Sequence, residues 1–158
     1  MGDMIERKIK ETKDFMRKLL TESLWDEWLL TEAVISCDVN YTIDGQVNRE
    51  YYGEDEENVP AGQYVRWERI RPVALSLIRG KHTPLFFRFT LRPPQSVTGA
   101  SDDTGIDRSV RLCFREGALY AASAVSLREF TLDKEPERAW DAAFSHFLTK
   151  CGIEYEEL

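Results

Sequence analysis

From Ile35 to Ile43 every odd-numbered residue is apolar and every even-numbered one polar. A side-chain period of two belongs to an extended strand with one face buried. The same rhythm returns where Leu85, Phe87, Phe89 and Leu91 alternate with Phe86, Arg88, Thr90 and Arg92. Strands that are greasy on one side only need a sheet whose other face meets water, which is the habit of antiparallel sheets. Asp44-Gly45 follows the first run and reads as a hairpin turn. A three-residue loop there sets Val47, Arg49 and Tyr51 on the apolar row and buries more than a two-residue loop does. A second hairpin is centred on Glu116-Gly117, pairing Phe114 with Leu119 and Leu112 with Ala121.

Other segments carry the helical period. Met4–Ile9 reads as a short strand, with Ile5 and Ile9 on one side. Thr12 fits the N-cap of a helix whose Phe15, Met16, Leu19 and Leu20 form one stripe. Trp25 and Trp28 lie one turn apart in a short helical connection. Trp67, Ile70, Val73, Ala74, Leu77 and Ile78 predict a helix ended by Gly80. Pro72 is tolerated if that helix starts near Trp67 or Glu68. A last helix begins near Pro136 and buries Ala139, Trp140, Ala143, Phe144, Phe147, Leu148 and Cys151, with Gly152-Ile153 as its stop. Residues 53–62 form an acidic loop, and 93–107 have no periodicity and read as a mobile loop. Strand, helix, hairpin, helix, strand, hairpin, helix specifies an α+β fold. The expected architecture is a mainly antiparallel sheet built from hairpins, with about three helices packed on it.

The 158 residues fit one domain, 1–158, with enough apolar content to bury a core. No apolar run approaches the roughly 20 residues that span a bilayer, and Met1–Thr12 lacks the apolar centre of a signal peptide. Glu6 stands where a myristoylation signal has Ser or Thr. Cys37, Cys113 and Cys151 are odd in number and widely spaced, which points to reduced thiols and a cytoplasmic setting. The membrane is not a partner in this reading.

Charge is unevenly spread. Between Arg66 and Arg92 stand Arg66, Arg69, Arg71, Arg79, Lys81, Arg88 and Arg92 against Glu68 alone, a balance of +6 in a chain of −7. Such a window is where an anionic ligand would be sought. On the helix, Arg69 and Arg79 point to solvent, while Arg71 falls on the margin of the apolar stripe, between Trp67 and Ile78. A cation there must be paired, stacked on a ring or facing a cleft. His82 follows the helix end beside Lys81, and Arg88 and Arg92 share the polar face of the next strand with Phe86. The candidate binding residues are therefore Arg71, His82, Arg69, Lys81, Arg88 and Arg92.

Catalytic constellations are missing. With His82 and His146 as the only histidines and no CxxC or HExxH, no metal and no cofactor is expected. There is no GxSxG, Walker loop or GxGxxG. Asp103-Thr104-Gly105 matches the aspartic-protease tripeptide but follows a polar run rather than an apolar strand. The acids Glu54–Glu57 lack the spacing of a calcium loop and read as a solvated face.

Tyr41-Thr42-Ile43-Asp44-Gly45, Trp67 with Ile70-Arg71-Pro72, Gly80-Lys81 before Thr83-Pro84, and Phe130-Thr131-Leu132-Asp133 with Trp140 resemble an uncharacterised protein family of clostridial Firmicutes. The resemblance implies a small cytoplasmic bacterial protein and assigns no activity. The order of elements is also similar to the duplicated motif within one sliding-clamp domain, a likeness of fold alone. The reading that results is a non-catalytic cytoplasmic binding or interaction domain with a protein or anionic partner. The alternatives are a clamp-like protein associated with nucleic acid and an enzyme acting on a small anionic metabolite. Oligomeric state is open.

Overall fold

In the computed structural model, residues 4–99, 105–127 and 133–158 are described. Their strands form one eight-stranded antiparallel sheet, with β3-β2-β5-β6-β7-β1-β8 as its order and β4 beside β3 on β2. The strands are β1 (Met4–Ile9), β2 (Leu29–Ser36), β3 (Asn40–Asp44), β4 (Val65–Arg66), β5 (Phe86–Arg92), β6 (Ile106–Arg115), β7 (Ala118–Leu127) and β8 (Tyr155–Glu157). The helices α1 (Thr12–Thr21), α2 (Trp67–Ile78) and α4 (Glu135–Lys150) and the single turn α3 (Gln95–Thr98) complete an α+β fold.

The period-two rows settle which face is covered. Phe87, Phe89 and Leu91 on β5, Val110, Leu112 and Phe114 on β6, and Leu119, Ala121 and Val125 on β7 are buried. Phe15 and Leu19 of α1, Trp67 and Ala74 of α2, and Trp140, Phe144 and Leu148 of α4 join them in one hydrophobic core. The β6–β7 hairpin has the predicted register, Phe114 opposite Leu119 and Leu112 opposite Ala121. Aromatic rings fill much of this layer: Trp25 lies 4.7 Å from Trp28 and 5.0 Å from Phe147, centroid to centroid. Indole N–H groups fix the helices, with Trp67 donating to the Leu19 carbonyl and Trp140 to that of Ser109, both at 2.9 Å.

The first hairpin is not where its turn signal lies. Ile35–Ile43 is two strands rather than one, folded at Cys37–Val39 with Ser36 opposite Asn40 and Ile35 opposite Tyr41. A three-residue turn pairs residues of like parity, so the alternation runs through the bend unbroken. Beyond Asp44 the chain leaves β3, passes two 3-10 turns at Arg49–Tyr52 and Glu56–Asn58, and returns at β4. Val47, Arg49 and Tyr51 therefore do not extend the apolar row. Gly45 sits at the junction: its N–H donates to the Thr31 carbonyl at 2.9 Å, and its own carbonyl accepts from Val65 N–H at 2.8 Å. A Cβ at position 45 would lie 1.8 Å from the Leu30 carbonyl oxygen, so only glycine fits.

The helix ends refine the remaining expectations. Thr12 is the first residue of α1 rather than its cap, which is Glu11 without a side-chain bond. Trp25 and Trp28 lie in turns, not a helix. α2 starts at Trp67, so Pro72 lies inside it, beyond the first turn, and withholds an amide from the Glu68 carbonyl. The first amides of that helix are bonded from outside, Trp67 N–H to the Trp28 carbonyl at 2.7 Å and Glu68 N–H to that of Asp26 at 3.3 Å. Gly80 is not the cap of α2; Arg79 is, in an extended conformation. α4 ends in a Schellman motif, Gly152 at φ 72° with Ile153 N–H on the Leu148 carbonyl at 2.9 Å and Gly152 N–H on that of Thr149 at 3.0 Å. Within the aperiodic stretch 93–107, α3 takes Gln95–Thr98 and β6 begins at Ile106, and residues 100–104 lie outside the described ones.

Candidate functional site

At the end of the sheet where α2 begins, β5 stops at Arg92 because Pro93 and Pro94 have no N–H to continue the ladder. The next residues turn into α3, and β6 starts at Ile106 across from them. A cavity of about 390 Å³ opens between these elements, lined by Tyr64, Arg92, Arg108, Asp107, Gln63 and Gln95 among others. A second cavity of about 340 Å³ adjoins it, with Glu27 and Pro94 lining both. The second one mixes Leu24, Trp28, Val97 and Phe147 with Asp26, Arg66 and Glu68. A more open depression of about 800 Å³ over Asp44, Arg49 and Glu50 continues outward past Gly62 and Gln63.

The first cavity gathers guanidinium groups. Arg92 lies 4.9 Å over the Tyr64 ring, and Tyr64 is held in place by its bridge to Gln46. The only carboxylate near Arg92 among the described residues is Asp107, at a loose 3.8 Å. Arg108 falls on the same row of β6 as the buried Val110, Leu112 and Phe114, is half-buried, and pairs with no carboxylate among the described residues. Arg92, on the open-face row with Arg88, and Arg108, on the core-side row, reach this cavity from opposite faces at the end of the sheet, and guanidinium donors there suit an oxyanion. Glu27, 4.0 Å from Arg66, and Asp107 keep the cleft from being uniformly positive.

Of the six predicted candidates, Arg92 alone lines this cleft. Arg71 is spent on structure: its Nε and Nη2 donate to the two carboxylate oxygens of Asp26 at 2.9 and 3.1 Å. That fork ties α2 to the turn whose Asp26 carbonyl also caps the helix. Arg88 pairs with Glu32 at 3.0 Å on the open face of the sheet. Arg69, Lys81 and His82 are exposed, away from the cleft. The open face alternates in sign, since Arg115 also pairs there, with Glu6 at 2.8 Å, while lying 3.8 Å over the Tyr120 ring. The bond to Glu6 raises the Arg115 pKa, which keeps it charged throughout.

The residues that sequence reading missed are Arg108, Tyr64, Gln63 and Glu27. Arg108 had a legible signal, a cation in register with an apolar row. Among the described residues, no group of three or more His, Cys, Asp or Glu side chains could hold a metal ion, and no helix is long and apolar enough to cross a membrane. Asp103 and Thr104 of the protease-like tripeptide lie outside the described residues.

No solved structure and no curated protein matches the chain. Residues 18–156 match the model of DUF5721, a family of unknown function, and the chain belongs to that family.

Proposed function

We propose that the protein is a non-catalytic binding domain, working as a single unit, that takes a small anionic compound in the cleft beside Arg92. The observation that carries this reading is that Arg92 and Arg108 line one 390 Å³ cavity, where the one ion pair either makes among the described residues is that of Arg92 with Asp107 at a long 3.8 Å. That volume is within the usual range for small-molecule sites. A cytoplasmic, bacterial setting belongs to the proposal, supported by the three unpaired cysteines and the clostridial sequence resemblance.

The test is a titration of the labelled protein with acetate, succinate and inorganic phosphate, followed by amide chemical shifts. The expected result is saturable movement of Tyr64, Arg92, Arg108 and their neighbours, lost in the folded Arg92→Ala/Arg108→Ala double variant. Shifts confined to Arg69, Arg79 and Lys81, or none at all, would end the proposal.

A further inference from the structure

We infer that the cleft selects a free α-amino acid with a large apolar side chain. The inference rests on the anion-binding reading above and adds the two remaining parts of the ligand. Arg92 and Arg108 supply donors for a carboxylate in the first cavity. Glu27 is an exposed residue that lines both cavities, and the cation paired with it among the described residues is Arg66 at a distant 4.0 Å, itself closer to Glu68 at 3.1 Å. An ammonium one atom removed from the ligand carboxylate would meet it there. Beyond the junction, Leu24, Trp28, Val97 and Phe147 give a second cavity of about 340 Å³ one apolar wall, facing a rim of Asp26, Arg66, Glu68 and two serines. Carboxylate, ammonium and apolar side chain radiate from one carbon in an α-amino acid, in the order that the cleft presents their complements. Asp107 and Glu27 also disfavour a multiply charged anion, which sets this ligand apart from a sugar phosphate or nucleotide.

Calorimetric titration separates the parts. The probes are L-phenylalanine, L-leucine, L-alanine, 3-phenylpropanoate, phenylalaninamide and the dipeptide Ala-Phe, with acetate and phosphate as simple anions. L-phenylalanine and L-leucine are expected to bind at least tenfold tighter than L-alanine, and L-phenylalanine tenfold tighter than either analogue lacking one charge. Glu27→Gln should bring L-phenylalanine and 3-phenylpropanoate to parity. Ser23→Phe, at an exposed residue of the second chamber, should weaken L-phenylalanine tenfold and leave acetate unchanged. Tighter binding of Ala-Phe than of L-phenylalanine would overturn the free amino acid in favour of a peptide end. Equal binding of phenylalanine and phenylpropanoate by the wild type would overturn the role of Glu27 and with it the inference. Binding of acetate or phosphate without any of the amino acids would overturn the inference and leave the anion site standing. Silence from every probe would remove both.

Discussion

The Arg7 guanidinium, in the first strand, donates through Nη2 to Asp141 in the last helix, and this bond between residues 134 positions apart pins the sheet to its helical layer. Arg7 is 1% exposed and lies between the rings of Phe144 and Tyr155, 5.0 and 5.1 Å from their centroids. Asp141 accepts in addition from Ser123 Oγ at 2.8 Å, and Ser145 Oγ accepts from Arg7 at 3.2 Å. Asp141→Ala strands a buried cation and is expected to lower stability by about 3 kcal/mol. Arg7→Met keeps an apolar stem between the two rings and leaves a partly exposed carboxylate still bonded to Ser123, so its loss should be less than half as large. Urea unfolding of both variants decides; equal losses would contradict the account.

Gly45 and Gly53 make a controlled pair. A Cβ on Gly53 meets nothing within 4 Å, but its φ of +58° with ψ of −121° is a conformation that favours glycine, so alanine there carries backbone strain alone, about 1–3 kcal/mol. Gly45 has no such φ, yet its Cβ would strike the Leu30 carbonyl carbon and oxygen. Gly45→Ala is expected to lose more than Gly53→Ala and to disturb amide shifts in both β3 and β4. A smaller loss at Gly45 would mean that the strand junction yields without resistance.

Asp14 has its pKa lowered, first by a hydrogen bond from Arg17 and then by one from Lys18. Its folded value lies below its unfolded one, so the contribution is present above the ordinary carboxylate range and fades as pH falls through the depressed value. Arg17→Gln should move the Asp14 titration, read by carboxyl carbon shifts, upward toward the ordinary value. An unmoved midpoint would assign the depression elsewhere.

Cys151 behaves in the opposite sense. Burial raises its thiol pKa, opposed by the charges of Lys18 and Lys150. The folded state therefore holds this proton longer than the unfolded one, and its contribution is full at neutral pH and lost as pH rises through the raised value. Alkylation of Cys151 in the native protein should be slower at pH 8 than that of an unfolded control peptide, since the thiolate is the reactive form. Matching rates would show the site to be solvated.

Lys18 Nζ donates to the carbonyls of Cys151 and Gly152 at 2.9 and 3.3 Å, placing a cation at the negative end of α4. Lys18→Met is expected to destabilise by about 1 kcal/mol. The effect should shrink as salt is added, and thermal unfolding at two ionic strengths checks it.

Periodicity carried the reading a long way and failed at identifiable places. Phe87, Phe89, Leu91 and the Phe114–Leu119 register were legible because faces and turn residues agreed. The bend at Cys37–Val39 was hidden because parity is blind to an odd-length turn, while Asp44-Gly45 supplied a turn signal for a close strand crossing. Arg7, between Ile5 and Ile9, and Arg108, in line with Val110, carried the same mark as Arg71, a cation in an apolar row. Of the three, only Arg71 also lies inside the basic window Arg66–Arg92, where net charge as well as register marks it. The cleft itself is assembled from residues 27, 64, 92 and 108, whose proximity no local pattern encodes.

The placement of β1 has a consequence for how the chain is made. Arg7 pairs with Ala121 on one side and Glu157 on the other, so the first strand has no neighbour until β7 is made and no second one until β8 is. On a ribosome it must wait, while the α1–β3 segment and the β5–β6–β7 meander find nearby partners. Long-range pairing of this kind slows folding.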